Sequence, residues 1–206
     1  MTTKEIINSH FDVSRETLER LEIFVETLRR WNPRINLVSK KSIEDLWSRH
    51  ILDSIQVYYA APPADKWLDI GSGGGFPGLI AAIVARDLAP STHVTLIESD
   101  QRKCAFLRSA ARECGITVTV KSERVEAAEP EGASVMSARA LTDLTNLLAY
   151  SERHLLKTGT SVFPKGVTWK KELESAQQQW RFDLEEIKSL TEPEAVILKI
   201  KGLERA

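Results

Sequence analysis

Leu68-Asp69-Ile70-Gly71-Ser72-Gly73-Gly74-Gly75-Phe76-Pro77-Gly78 is the stretch that decides the fold. A buried apolar run leads into a glycine loop, and Pro77 is suited to open the helix that follows. On both sides, short apolar runs alternate with helical stretches. Downstream they give strand Trp67 to Ile70, helix Pro77 to Leu88, strand Val94 to Ile97, helix Gln101 to Cys114 and strand Thr117 to Val120. This βαβαβ order predicts a parallel sheet. It continues as strand Ser134 to Ser137, helix Asp143 to Leu155, strand Thr160 to Phe163 and helix Thr168 to Trp180. The last two apolar runs, Phe182 to Leu190 and Ala195 to Ile200, lie too close together for a crossover helix, so they form an antiparallel hairpin. The expectation is an α/β, Rossmann-like fold with a mainly parallel seven-stranded sheet ending in that hairpin.

Upstream of the loop the pattern is helical. Ser14 is a candidate cap, Glu16 falls in the first turn, and Leu18, Leu21, Phe24, Leu28 and Trp31 keep a three-to-four spacing until Pro33 stops the helix. Ser42 with Asp45 resembles a capping box opening a second helix. Residues 1–63 are therefore expected to be a helical extension packed on a core of residues 64–206. The 206 residues carry 28 Lys and Arg against 29 Asp and Glu, which excludes a protein that coats nucleic acid by bulk charge. No apolar run reaches the length of a membrane span, and Met1 to His10 lacks a signal pattern, so a cytoplasmic protein is expected. Cys104 and Cys114 fall on one helical face about 15 Å apart. That is too far for a disulfide, and no histidine spacing accompanies them, so they are core thiols and no metal site is expected.

Two ligands compete for the glycine loop. Gly73, Gly75 and Gly78 satisfy GxGxxG, and Glu98 lies twenty residues farther on, as in a dinucleotide site of an NAD(P)-dependent oxidoreductase. Against this, Asp69 precedes the loop, giving a DxGxGxG form suited to the positive charge of S-adenosylmethionine and repellent to a pyrophosphate. The helical prelude and the terminal hairpin point the same way. In either case Glu98, at the end of the second strand, is placed to accept ribose hydroxyls.

The sequence also resembles a known family, the ribosomal RNA small subunit methyltransferase G proteins, formerly called glucose-inhibited division protein B. The resemblance rests on Trp31-Asn32-Pro33-Arg34-Ile35-Asn36-Leu37-Val38, Arg49-His50-Ile51-Leu52-Asp53-Ser54, the Gly71 to Gly78 loop, Ser137-Ala138-Arg139-Ala140 and Pro164-Lys165-Gly166, and it spans nearly the whole chain. It implies a class I methyltransferase fold and methyl transfer from S-adenosylmethionine to N7 of a guanine in the 530 loop of bacterial 16S ribosomal RNA. It places cofactor contacts on Gly71, Phe76, Val125, Glu126 and Arg139, to which the loop reading adds Asp69, Gly73, Gly75 and Glu98. Val125 stands where many members have alanine, adding bulk on the adenine side.

Guanine N7 presents an in-plane lone pair, so no base is needed to free it. The Ser137-Ala138-Arg139-Ala140 segment lacks the acid-Pro-Pro-aromatic pattern of enzymes that methylate exocyclic amines. A cation must then grip O6 or the phosphates rather than N7 itself. Lys165 and Arg139, both following strands, are the catalytic candidates. Residues 29 to 49 hold six basic residues, Arg29, Arg30, Arg34, Lys40, Lys41 and Arg49, against Glu44 and Asp45. Arg102, Lys103 and Arg108 form a second cluster, and Lys165, Lys170 and Lys171 a third. If these clusters converge, they are expected to hold the phosphates of 16S ribosomal RNA or of the small-subunit particle. Arg34, Asn36, His50, Arg102, Lys103, Arg124 and Lys165 are the substrate-binding candidates, in a chain expected to act as a monomer.

Overall fold

A computed structural model describes residues 2–206, leaving the side chains of Lys40 and Lys41, two members of the first basic cluster, outside the described set. Seven strands form one sheet: β1 Lys66–Ile70, β2 His93–Ile97, β3 Thr119–Lys121, β4 Ala133–Ala138, β5 Leu155–Lys165, β6 Trp180–Lys188 and β7 Val196–Arg205. Their order is β3-β2-β1-β4-β5-β7-β6. β1 to β5 run parallel, while β7 is antiparallel to both β5 and β6. The expected terminal hairpin is present, with its second strand inserted between the first and the parallel sheet.

The period of two along each strand divides the interior into two layers. Trp67, Val94, Leu96, Val135 and Val162 face one cluster, whereas Leu68, Ile70, Ile97, Met136 and Phe163 face the other. Helices α5 Gly78–Leu88 and α6 Gln101–Glu113 cover the first face, and α7 Leu144–His154 and α8 Trp169–Gln177 cover the second. In α5 every residue from Gly78 to Ala85 is buried. A helix apolar on all sides must be covered away from the sheet as well. The N-terminal helices α1 Thr3–His10, α2 Arg15–Ile35, α3 Lys40–Glu44 and α4 Asp53–Ala60 supply that cover, and Ile7, Leu21, Phe24, Leu28 and Ile55 join the same hydrophobic cluster as the sheet.

The N-terminal region departs from the expected pattern in four places. A separate helix precedes the one at Ser14: Thr2 and Glu5 form a reciprocal capping box for α1, and Ser14 caps α2 as expected. Pro33 does not stop α2, which runs on to Ile35. Proline removes one amide and so one helical bond. The turn nevertheless closes, because the Asn36 amide donates to the Asn32 carbonyl at 3.0 Å and Asn32 Oδ1 accepts the Val38 amide at 2.9 Å. Asn36 then ends the helix in the left-handed conformation. The second helix is capped by Ser39 rather than Ser42, since Ser39 Oγ takes the Ser42 amide at 3.1 Å. After α3 the chain forms a π-helical turn, Trp47–Leu52, that leads directly into α4.

Phe24 ties the extension to the loop. Its ring is fully buried, edge-on to Phe76 with centroids 5.4 Å apart, and 6.2 Å from Phe106. Phe24→Ala is expected to cost about 3–5 kcal/mol. In urea unfolding this reads as a lower midpoint with an unchanged slope.

Candidate active site

The loops after β1 to β5 all leave the carboxyl ends of parallel strands, so they gather at one end of the sheet, where ligands of open α/β sheets bind. The glycine loop lies at the centre. Gly75, at φ +89°, occupies backbone space that a side chain would strain, and a Cβ there would stand 3.1 Å from Leu79 and 3.3 Å from Phe24. The amides of Gly71 and Ser72 donate to the Ile97 carbonyl, at 2.8 and 3.2 Å, and that of Gly75 donates to Ser72. The Gly73 amide donates to Glu98 Oε2 at 2.8 Å, while Glu98 Oε1 takes the Asp100 amide at 2.8 Å. Glu98 thus braces the loop from the end of β2.

Asp69 sits beneath the loop. It is 0% exposed, so its carboxylate is not open to the cleft, and its influence there is through charge and support rather than direct contact. Its Oδ1 accepts the Ser137 hydroxyl at 2.6 Å, and Ser137 Oγ in turn accepts the Trp67 indole N–H at 2.9 Å. Trp67 and Asp69 share a strand face and Asp69 pairs with Ser137 in register, so the three side chains stack on one side of the sheet. Burial pushes the Asp69 carboxyl up to about 6, against the lowering effects of Ser137, Ser72, the Gly78 amide and Arg139. No basic side chain lies between Asp69 and Gly78. A loop whose amides are largely committed, flanked by two carboxylates, fits a cationic adenosyl donor and not a pyrophosphate.

Arg139, after β4, stands at the mouth. Its guanidinium lies 5.1 Å from the centroid of Phe76, donates to the Arg49 carbonyl at 3.1 Å, and donates to His50 Nδ1. The π-helical turn carries Arg49 and His50 to this point. The His50 ring stacks on Phe76 with centroids 4.8 Å apart and planes 24° apart. Burial first, then Arg139 and Arg49, depress its pKa to about 3. The imidazole is therefore neutral at physiological pH, and its acceptor nitrogen is occupied.

Beyond Arg139 opens a cleft of about 590 Å³ lined by Arg49, His50, Asp53, Arg139, Lys165 and the turn between β6 and β7. Lys165 reaches it already paired. Its Nζ contacts Glu172 Oε2 at 2.7 Å and the Thr142 carbonyl at 3.1 Å, and its side chain is 9% exposed.

Val125 and Glu126 follow β3 at the same end of the sheet. The Val125 carbonyl is taken by the buried His154 Nε2 at 3.0 Å, and Arg153 holds the Ala128 carbonyl at 2.7 Å, so α7 pins this segment. Glu126 is exposed, with Arg124 at 3.6 Å. Arg34 and Asn36 are exposed on either side of Ile35, just before Leu37, whose carbonyl lies against Gly74. Arg102 and Lys103 begin α6, with Arg102 paired to Asp100 at 3.1 Å.

Among the described residues, the basic clusters do not converge as units. Arg29 pairs with Glu26, Arg30 with Glu113 at the far end of α6, and Arg108 donates to the Val120 carbonyl. Charge counted along the chain ignores these partners. Asn32 is a buried tie rather than a contact residue. His154, Gln56 and Thr191 escaped sequence reading, and so did the bond of Ser137 to Asp69, because only packing, strand register and hairpin docking bring them to the site.

Two measurements check this electrostatic picture. Because Asp69 titrates higher in the fold than in the unfolded chain, its favourable contribution is complete below pH 4 and lost as pH rises through about 6. Relative to Asp69→Asn, the native protein should lose about 2 kcal/mol between pH 4 and pH 7, read from denaturant unfolding at each pH. The His50 Cε1–H resonance should show no titration between pH 5 and pH 8.

Residues 17–199 match the family described as rRNA small subunit methyltransferase G. A Ribosomal RNA small subunit methyltransferase G from Ruegeria sp. (strain TM1040) is 65% identical over 198 residues, covering 96% of this chain and 97% of its own. Among solved structures, the ribosomal protein L11 methylase from Lactobacillus delbrueckii subsp. bulgaricus aligns with a TM-score of 0.57 at 18% identity, over 72% of this chain and 75% of its own. M. jannaschii TYW2 in complex with AdoMet aligns with a TM-score of 0.60 at 14% identity, over 84% of this chain and 80% of its own. The fold is that of the class I methyltransferases, and the chain belongs to the rRNA small subunit methyltransferase G family.

Proposed function

We propose that this protein transfers a methyl group from S-adenosylmethionine to N7 of a guanine in the 530 loop of bacterial 16S ribosomal RNA, acting as a monomer in the cytoplasm. The observation that carries the reading is the junction of Phe76, His50 and Arg139, where the glycine loop meets a cleft wide enough for a nucleotide. The one imidazole at that junction is neutral and has its acceptor nitrogen filled, so it is not poised to remove a proton. An acceptor that needs no deprotonation suits such a site, and guanine N7 is one.

When bound, S-adenosylmethionine supplies a methyl group on a positively charged sulfur. Gly71, Gly73, Gly75 and Phe76 would hold it, and Glu98, with both oxygens already braced by amides, keeps acceptor capacity for ribose hydroxyls. Val125 and Glu126 close the adenine side. Arg139, an obligate cation, is placed to donate to O6 beside the reacting nitrogen. Holding nitrogen, methyl carbon and sulfur in line is worth several kcal/mol without any acid or base. Lys165, fixed by Glu172, would orient the acceptor from the far wall. Arg34, Asn36, Arg102, Lys103 and Arg124 ring the same end of the sheet and would meet phosphates. Arg102 and Arg124 are themselves exposed and pair only with Asp100 and Glu126, so RNA can displace those partners.

The test is chemical cleavage at 7-methylguanine in 16S RNA from cells with and without the gene. Loss of one cleavage site, restored by the wild-type gene, is the expected result, and an unchanged pattern refutes the assignment. In purified enzyme, Arg139→Ala should lower kcat on the order of 100-fold, and Lys165→Ala about 10-fold, each with a smaller effect on donor affinity measured by calorimetry.

A further inference from the structure

Asp53, the fourth residue after Arg49 in the Arg49-His50-Ile51-Leu52-Asp53-Ser54 segment, has no part in the scheme above, yet it lines the cleft. It follows His50 by three residues, where the π-helical turn passes into α4, and so sits one turn farther from Phe76. Its Oδ1 accepts the Thr191 hydroxyl from the turn between β6 and β7. Its Oδ2 has no hydrogen-bond partner among the described residues. Gln56, one turn on, fixes that same turn from both sides: its Nε2 donates to the Lys188 carbonyl at 2.6 Å and its Oε1 accepts the Leu190 amide at 3.0 Å. The carboxylate is thus held to the hairpin turn by Thr191, with Gln56 fixing the same turn one helical turn on.

Arg139 and His50 both lie on Phe76 at the loop end of the cleft, and Asp53, three residues after His50, lies against Thr191 on its hairpin side. Around a guanine the edge groups come in a fixed order: N7 and O6, both acceptors, then N1–H and the N2 amino group, both donors. If N7 faces the methyl donor at the loop, O6 falls to the guanidinium and the two donors point deeper. A carboxylate accepts two donors side by side, which adenine does not offer on that edge. From this match we infer that Asp53 is the specificity-determining residue for the acceptor base, taking the N1–H and N2 amino hydrogens of guanine. The inference rests on the methyltransferase reading above and names how its substrate base is chosen.

The test uses the full chain on small-subunit particles reconstituted with 16S RNA carrying either guanosine or inosine at the methylated position. Inosine keeps N7, O6 and N1–H and lacks only the N2 amino group. Wild-type kcat/KM should favour guanosine by at least 10-fold. Asp53→Asn should lower the guanosine value by about 10- to 100-fold and bring the ratio toward one, with donor affinity by calorimetry unchanged. Thr191→Val removes the tie to the hairpin turn but leaves the carboxylate, so it should keep the wild-type ratio even where the rate falls. An Asp53→Asn enzyme that retains the wild-type ratio, or a Thr191→Val enzyme that loses it equally, overturns the assignment and leaves Asp53 a support for the hairpin. Wild-type enzyme that forms no 7-methylguanosine on the guanosine particle instead removes the parent reading, and the inference with it.

Discussion

The buried carboxylate of Asp69 is the constraint on which the rest of the site depends. An ionisable group with no solvent exposure costs several kcal/mol in its charged form unless hydrogen bonds surround it. Here the Ser137 hydroxyl donates to Oδ1 and Trp67 fixes Ser137 in turn, while Oδ2 has no hydrogen-bond partner among the described residues, in keeping with the raised pKa. That arrangement sets the sequence around it. A Cβ on Gly78 would fall 2.4 Å from the Asp69 Cβ, so only glycine lets α5 start against the strand. With α5 so close, the loop before it must turn sharply, and Gly71, Gly73 and Gly75 all take positive φ. The acid therefore shapes the loop from below while Glu98 braces it from the side.

Most of the sheet was legible because its signal is local. Alternating layers, a glycine loop between strand and helix, and a terminal pair too close for a crossover all follow from a few neighbouring residues. The continuous apolar run from Leu79 to Ala85 was equally visible, and it required a second layer over α5, which the N-terminal helices supply. The irregular parts were not legible, for a different reason. Pro33 is tolerated inside α2 because Asn32 and Asn36 close the following turn, a compensation no propensity encodes. The π-helical turn at Trp47–Leu52 has no sequence signature of its own; it is held by what packs on it, His50 against Phe76 and Ser54 Oγ against the His50 carbonyl at 2.6 Å.

The candidate site divides in the same way. Glu98, Arg139 and Lys165 lie where the sequence put them, at the carboxyl ends of parallel strands, because the fold gathers those ends on one side of the sheet. Their partners were hidden. Lys165 is visible in the sequence as a cation after a strand, yet its partner Glu172, from the next helix, is not; His50 lines the cleft, yet its stacking on Phe76 is set by the fold alone. The linear clusters of Arg and Lys failed for this reason: a charge matters to a ligand only after its partners in space are subtracted.

That subtraction separates two kinds of recognition. The cleft balances Arg49, Arg139 and Lys165 with Asp53, Glu172 and Glu192. A polyanion would gain little from such a lining, whereas a purine presents acceptors and donors along one edge and needs both signs in sequence. The cations proposed for the rim, Arg34, Arg102 and Arg124 exposed and Lys103 half-buried, suit phosphates, whose attraction is long-ranged and falls with salt. On the proposed reading, affinity from the rim and choice from the cleft are physically independent, since phosphate contacts position a nucleic acid and base contacts specify it. A near-neutral chain is compatible with that division, because under it only the rim has to attract RNA.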